Sequence, residues 1–193
     1  MTRGEVAGGK WGTKLVFFGG LIVSPINIVA LSDTHYFDLN SHVFQSLSTA
    51  NGSPNKPRER FSHAAAVTGD NLIVYGGRAM SSNSWYLLND VWQLNLNTQV
   101  WTELDMQVPI SRSYHSLVGE SRFNHFWSFG GYKTVSTARG DIAYVFSDLM
   151  RGTQDDDKWY KFTPQNNTQN TIEVRFQHSA VYYDSTIFVY GGR

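Results

Sequence analysis

The 193-residue chain contains no cysteine. That excludes disulfides, cysteine-ligated zinc, thiolate nucleophiles and any cofactor built on a cysteine side chain. Net charge is also missing: Lys plus Arg is 16 and Asp plus Glu is 16, a formal charge of zero. Nucleic-acid grooves and membrane-surface patches need an excess of positive charge, so neither is expected as the main partner. Charged residues are only 17%, but 41% of residues are apolar, which excludes a disordered chain. No window shows helical periodicity with caps. What the chain has instead is aromatics, 15%, and 17 glycines, a mixture suited to short strands joined by tight turns.

One long uncharged run, Leu15 to Ser32, approaches the length of a membrane span of about 20 residues. With Lys10 and Lys14 before it and Ala30 near its end, it also has the outline of a leader peptide. Gly19-Gly20, Pro25 and Asn27 interrupt the apolar run, and Glu5 is wrong for a basic leader. The expected structure here is a strand followed by an apolar loop. The expected location is the cytoplasm, with secretion as the alternative.

Self-comparison exposes a repeat. Glycine pairs end four apolar runs, at Gly19-Gly20, Gly76-Gly77, Gly130-Gly131 and Gly191-Gly192. An arginine stands 16 to 18 residues before each: Arg3, Arg60, Arg112 and Arg175. Three residues after the arginine comes His63, His115 or His178, with Val6 in the first repeat. Downstream, Asp33, Asp90 and Asp148 are each followed after 11 residues by an aromatic: Phe44, Trp101 and Trp159. The spacing varies in two places, both in the third repeat. It has two extra residues between His115 and Gly130 and four between Gly131 and Asp148. Insertions confined to loops are what a repeat fold shows.

Each unit reads as four strands. In the second they are expected at Ser62–Thr68, Asn71–Gly76, Asp90–Leu96 and Val100–Leu104, with Gly69-Asp70 as the first tight turn. A four-stranded meander marked by Arg-x-x-His, a glycine pair and a late tryptophan resembles the kelch repeat. The resemblance implies an all-β fold in which each unit is one four-stranded antiparallel blade of a β-propeller. On it, blades are expected at about 3–48, 60–104 and 112–163, with a half-blade at 175–193, in a single partial propeller. Three and a half blades fall short of the roughly four to eight that close a ring. Closure therefore calls for the remaining blades of a larger parent or for a second copy.

Small residues, Ala64 to Ala66 and Ser179-Ala180, suit the innermost strand, where blades converge. Trp101 and Trp159 are expected to fill the space between blades. One histidine per unit at matching positions indicates a structural role rather than a metal site. Asp155-Asp156-Asp157 reads as a solvated turn, since no glycine or glutamate follows at calcium-loop spacing. The sequons at Asn51 and Asn166 are no more than chance supplies. No Gly-x-Ser-x-Gly elbow or other nucleophile constellation appears. No cofactor, metal or catalytic residue is expected.

The segments after the glycine pairs, Leu21–Ser32, Arg78–Asn89 and Tyr132–Ser147, are expected to be long loops and the best functional candidates. They carry Arg78, Asn83, Trp85 and Tyr86, then Tyr132, Lys133, Arg139 and Tyr144, residue types that anchor interfaces. Kelch propellers commonly bind protein partners through such loops, so the resemblance implies a non-enzymatic interaction scaffold. Other kelch propellers, galactose oxidase and sialic-acid epimerases among them, process sugars. The copper enzyme's tyrosine is linked to a cysteine, which this chain lacks. A carbohydrate-handling propeller is the alternative expectation.

Overall fold

The computed structural model describes residues 3–25, 27–48, 56–81, 84–106, 110–155, 158–162 and 173–193. The first unit runs β1 (Arg3–Gly4), β2 (Ala7–Trp11), β3 (Lys14–Phe18), β4 (Leu21–Ser24), β5 (Asn27–Ala30), β6 (Thr34–Asp38) and β7 (Val43–Leu47). The second holds β8 (Ala64–Thr68), β9 (Asn71–Tyr75), β10 (Arg78–Ser81), β11 (Ser84–Leu87), β12 (Val91–Asn95) and β13 (Val100–Leu104). The third holds β14 (Ser116–Glu120), β15 (His125–Phe129), β16 (Tyr132–Thr137), β17 (Gly140–Val145), β18 (Leu149–Thr153) and β19 (Trp159–Phe162). A final pair is β20 (His178–Tyr183) and β21 (Thr186–Gly191).

These strands make three four-stranded antiparallel sheets, β2-β3-β6-β7, β8-β9-β12-β13 and β14-β15-β18-β19, the three-stranded β1-β4-β5, and the two-stranded β10-β11, β16-β17 and β20-β21. Neighbouring sheets pack through their inner strands, and no closed ring forms among the described residues. The architecture is that of kelch blades in a partial, unclosed propeller.

Two sequence details find their cause here. The first strand of the second unit begins at Ala64 rather than Ser62, because Ser62 takes a left-handed φ of 51°. Glu5, Tyr114 and Gln177 do the same at the matching place. That turn lets Tyr114 N–H donate to Ser62 O and Gln177 N–H to Tyr114 O, both at 2.9 Å, linking successive units backbone to backbone. The two extra residues of the third unit form a short 3-10 turn, Ser121–Phe123, ending on Asn124 in the left-handed region.

The segments after the glycine pairs are not loops, as the sequence suggested, but antiparallel hairpins: β4–β5, β10–β11 and β16–β17. Alternation over only four to six residues was too short to separate strand from loop. The four extra residues of the third unit lengthen its hairpin, whose tip turns at Gly140 with φ 111°. Leu15 to Ser32 accordingly ends β3 and forms the β4–β5 hairpin. No helix among the described residues is long and apolar enough to cross a membrane.

The core lies between sheets. Val16 and Phe18 of the first meet Leu72, Val74, Leu94 and Trp101 of the second. From the other face of the second, Ala64, Ala66, Ile73 and Tyr75 meet Leu117 and Phe126 of the third. Alternation along β9 therefore serves two interfaces, one residue to each side. Convergence of the inner strands leaves little room. A Cβ on Gly9 would lie 2.7 Å from the backbone nitrogen of Val67, and one on Gly119 would lie 2.0 Å from the Val67 carbonyl oxygen.

The tryptophans occupy equivalent places. Trp101 meets Phe18 edge-on at 5.0 Å, and Trp159 lies 5.1 Å from Tyr75. Phe18 and Tyr75 both immediately precede a glycine pair.

Candidate partner-binding face

The site stands on a repeated hydrogen-bonded frame at the base of each hairpin. The first glycine N–H of each pair reaches back to the aspartate backbone: Gly19 to Asp33 O, Gly76 to Asp90 O and Gly130 to Asp148 O. The second glycine N–H donates across to the next unit: Gly20 to Arg60 O, Gly77 to Arg112 O and Gly131 to Arg175 O, each at 2.9 Å. The arginine side chain then locks its own unit. Arg60 Nη1 donates to Gly76 O, and both Nη atoms grip the Asp90 carboxylate at 2.8 and 2.7 Å. Arg112 repeats this with Gly130 O and Asp148, whereas Arg3 donates once to Gly19 O and once, through Nη2, to the Asp33 carboxylate.

Arg60 and Arg112 are fully buried, so the paired carboxylates are what permit them there. Burial pushes the Asp90 carboxyl up, but the bonds and charge of Arg60, aided by Trp92 Nε1, outweigh it and hold Asp90 below its ordinary value. The sequence showed both the arginines and the aspartates, but not their pairing. The available signal was the equal 30-residue separation of Arg3–Asp33 and Arg60–Asp90.

Each histidine is clasped between glycines of two units. A Cβ on Gly76 would stand 2.7 Å from Arg112 O and 3.3 Å from the His115 ring, while one on Gly131 would meet His115 Cβ at 2.7 Å. His63 fits likewise between Gly19 and Gly77, and His178 between Gly130 and Gly192. Burial lowers the His63 pKa to about 3; Arg60 acts in the same direction, against the Phe18 carbonyl and Asp90. Burial and Arg112 hold His115 well below the ordinary value. Burial disfavours the charged ring at all three positions, and the His178 ring also lies 2.8 Å from Ser116 Oγ, within hydrogen-bond distance. No cluster of three or more metal-ligating side chains lies among the described residues.

On this frame the hairpins of the second and third units stand side by side around a cavity of about 630 Å³. Arg78, Trp85 and Tyr86 line one side, and Tyr132 and Lys133 the other. Arg78 is fixed from three directions: its Nε donates to Ser113 Oγ at 3.2 Å, and its guanidinium lies 4.9 Å from the Tyr114 ring and 5.6 Å from that of Tyr132. Trp85 braces edge-on against Phe61 at 4.6 Å yet stays 42% exposed. Tyr86 lies under the Arg58 guanidinium at 5.6 Å, and Tyr132 OH accepts from Thr134 Oγ.

Five of the eight residues singled out from sequence thus line one cavity. Arg139 sits at the tip of the third hairpin, and Tyr144 is on β17 opposite Lys133, both outside the lining. Asn83, like Asp156, Asp157 and both sequons, lies outside the described residues. Sequence reasoning missed Asp141 and Ser111, which also line the cavity. Neither carries a repeat mark, and only the pairing of β16 with β17 brings Asp141 round.

Comparison with known proteins agrees with the geometry. Residues 3–192 match the family model described as the KLHDC2/KLHL20/DRC7 Kelch-repeats domain. The chain is 30% identical over 201 residues to Kelch domain-containing protein 2 of Bos taurus, covering 93% of this chain and 45% of the bovine protein. It is 27% identical over 187 residues to Kelch domain-containing protein 10 of Rattus norvegicus, covering 93% of this chain and 40% of the rat protein. The chain therefore spans less than half the length of these relatives. Domains of this kind generally serve as protein-interaction modules. By its repeat, its blades and its match over nearly its whole length, the chain belongs to the KLHDC2/KLHL20/DRC7 kelch-repeat family.

Proposed function

We propose that this chain is a non-enzymatic interaction scaffold whose hairpin face holds a protein partner between β10–β11 and β16–β17. The observation that carries this is the cavity between them, walled by Trp85, Tyr86 and Tyr132 and braced by a rigid frame. Its side chains are held before a partner arrives, which limits the ordering cost of binding. Large aromatics and arginine are the residue types that dominate interface energies. Arg78 and Lys133 face a single carboxylate, Asp141, so a partner segment bearing an acidic group suits the lining.

The test is affinity capture and titration with Trp85→Ala, Tyr132→Ala and Lys133→Ala in the full-length parent. A partner held by the unmodified protein should weaken about 30-fold or more with Trp85→Ala, the loss of a hot spot of about 2 kcal/mol. Lys161→Ala, on the outer strand, should leave binding unchanged. Equal binding by all the variants, with folding intact, would reject this face.

A further inference from the structure

The hairpins of the second and third units stand side by side, yet no backbone bond joins them among the described residues. Into the cavity between them β11 sends three successive residues, Trp85, Tyr86 and Leu87. Side chains alternate along a strand, so a run of three means that the cavity looks onto the edge of β11 rather than onto one of its faces.

Register shows what that edge offers. Leu87 lies opposite Arg78, Tyr86 opposite Ala79 and Trp85 opposite Met80. One step beyond, Leu88 N–H donates to Gly77 O at 2.9 Å. Bonded and non-bonded positions alternate in an antiparallel pair, so Ala79 and Tyr86 face each other, while the backbone groups of Trp85 and Leu87 point away from β10. Arg78 has the same phase: its outward groups exchange bonds with Phe61 at 2.8 and 3.1 Å on the far side of β10. Trp85 and Leu87 have no such backbone partner among the described residues. The facing edge of β16 is less open, because Tyr132 already exchanges two bonds with Ser113. An unpaired strand edge is a template for another strand.

We propose that the free edge of β11 takes an extended segment of the protein partner as an added strand, with an acidic side chain of that segment turned toward Arg78 and Lys133. Strand addition rests on the hairpin face being the partner-binding face. Backbone bonds to Trp85 and Leu87 hold the segment in register. The Arg78 guanidinium, 5.6 Å from the Tyr132 ring, stands within the same cavity, and the lining offers only Asp141 against the two cations.

The test uses a displayed library of short random peptides selected on the full-length parent, followed by titration of each captured peptide and residue-resolved amide hydrogen exchange. Captured peptides should carry Asp or Glu. With peptide bound, the Trp85 and Leu87 amides should exchange about tenfold or more slowly, and the Tyr86 amide, already bonded within the hairpin, should change less. Methylating alternate backbone nitrogens of the peptide should weaken binding about tenfold or more in one phase and little in the other. Several results would overturn strand addition: no peptide captured, peptides without acidic residues, or equal effects of methylation in both phases. So would slowed exchange at Thr134 and Ser136, the outward groups of β16, in place of Trp85 and Leu87. Slow exchange at Trp85 and Leu87 in the free parent would overturn it too, since a segment of the same protein would then fill the edge. Where Trp85→Ala still weakens the captured peptides, the hairpin face stands and only the added strand falls; where it does not, both fall.

Discussion

Tyr75 and Tyr190 hold the same place in their repeats, yet one is 2% exposed and the other 85%. The sequence around them is nearly the same, Val-Tyr-Gly-Gly in both. Local sequence therefore makes the strand and its turn, but a neighbouring unit makes the burial. A solenoid-like logic follows, in which stability resides largely in interfaces between units. Arg112 and Arg175 show the same contrast. Arg112 is fully buried and grips Asp148 with two bonds, while the bonds of the Arg175 side chain go to backbone carbonyls, Gly191 O at 3.3 Å and Glu173 O at 3.4 Å.

The sharpest way to break the contrast is to remove the buried cation. Arg112→Met strands the Asp148 carboxylate and should cost about 3–5 kcal/mol in urea unfolding. Arg175→Met should change stability by no more than about 0.5 kcal/mol. A similar loss in both would show that interior and terminal units do not differ as their packing indicates. Trp101→Ala should likewise cost about 3–5 kcal/mol, because it opens the space against Phe18. Phe44→Ala, at the matching but exposed position, should stay within about 0.5 kcal/mol.

How much of this was legible in the sequence also follows the contrast. The repeat marks disclosed the all-β fold and its four-stranded antiparallel sheets, because glycine pairs and late tryptophans answer to local backbone and packing needs. The hairpins were missed, since Arg78–Ser81 and Ser84–Leu87 are too short for period-two alternation to stand out. The clustering of Arg78, Trp85, Tyr86, Tyr132 and Lys133 was legible only as residue type. Their convergence depends on how two units pack, and no single unit's sequence encodes that.

Glycine substitution sharpens the comparison at smaller scale. Gly76 has φ 60° and Gly191 φ 72°, so alanine is strained at both. Only at Gly76 would the new methyl group also press on another unit, 2.7 Å from the Arg112 carbonyl oxygen. Gly76→Ala should therefore cost about 1–3 kcal/mol more than Gly191→Ala. Equal costs would mean that the units yield at their interface.

The last contrast is in pH. His63 and His115 lie between units with pKa values below the ordinary 6.5, about 3 for His63, because burial penalises the charged ring. Above pH 6.5 both folded and unfolded chains hold these rings neutral, so they add no pH dependence. Below it the unfolded chain takes up protons that the folded chain refuses, and stability falls as pH falls. Each such ring steepens the loss by about 1.4 kcal/mol per pH unit, for His63 down to about pH 3. The paired carboxylates add their own loss only below their unfolded value of 3.8, since Arg60 holds Asp90 lower than that. Between pH 6 and 4.5 the histidines therefore act alone among these groups. Urea midpoints across that window should slope less steeply for His63→Asn, by about 1.4 kcal/mol per pH unit. An unchanged slope would mean that the ring is protonated in place, and that the glycine clasp between units is looser than its distances indicate.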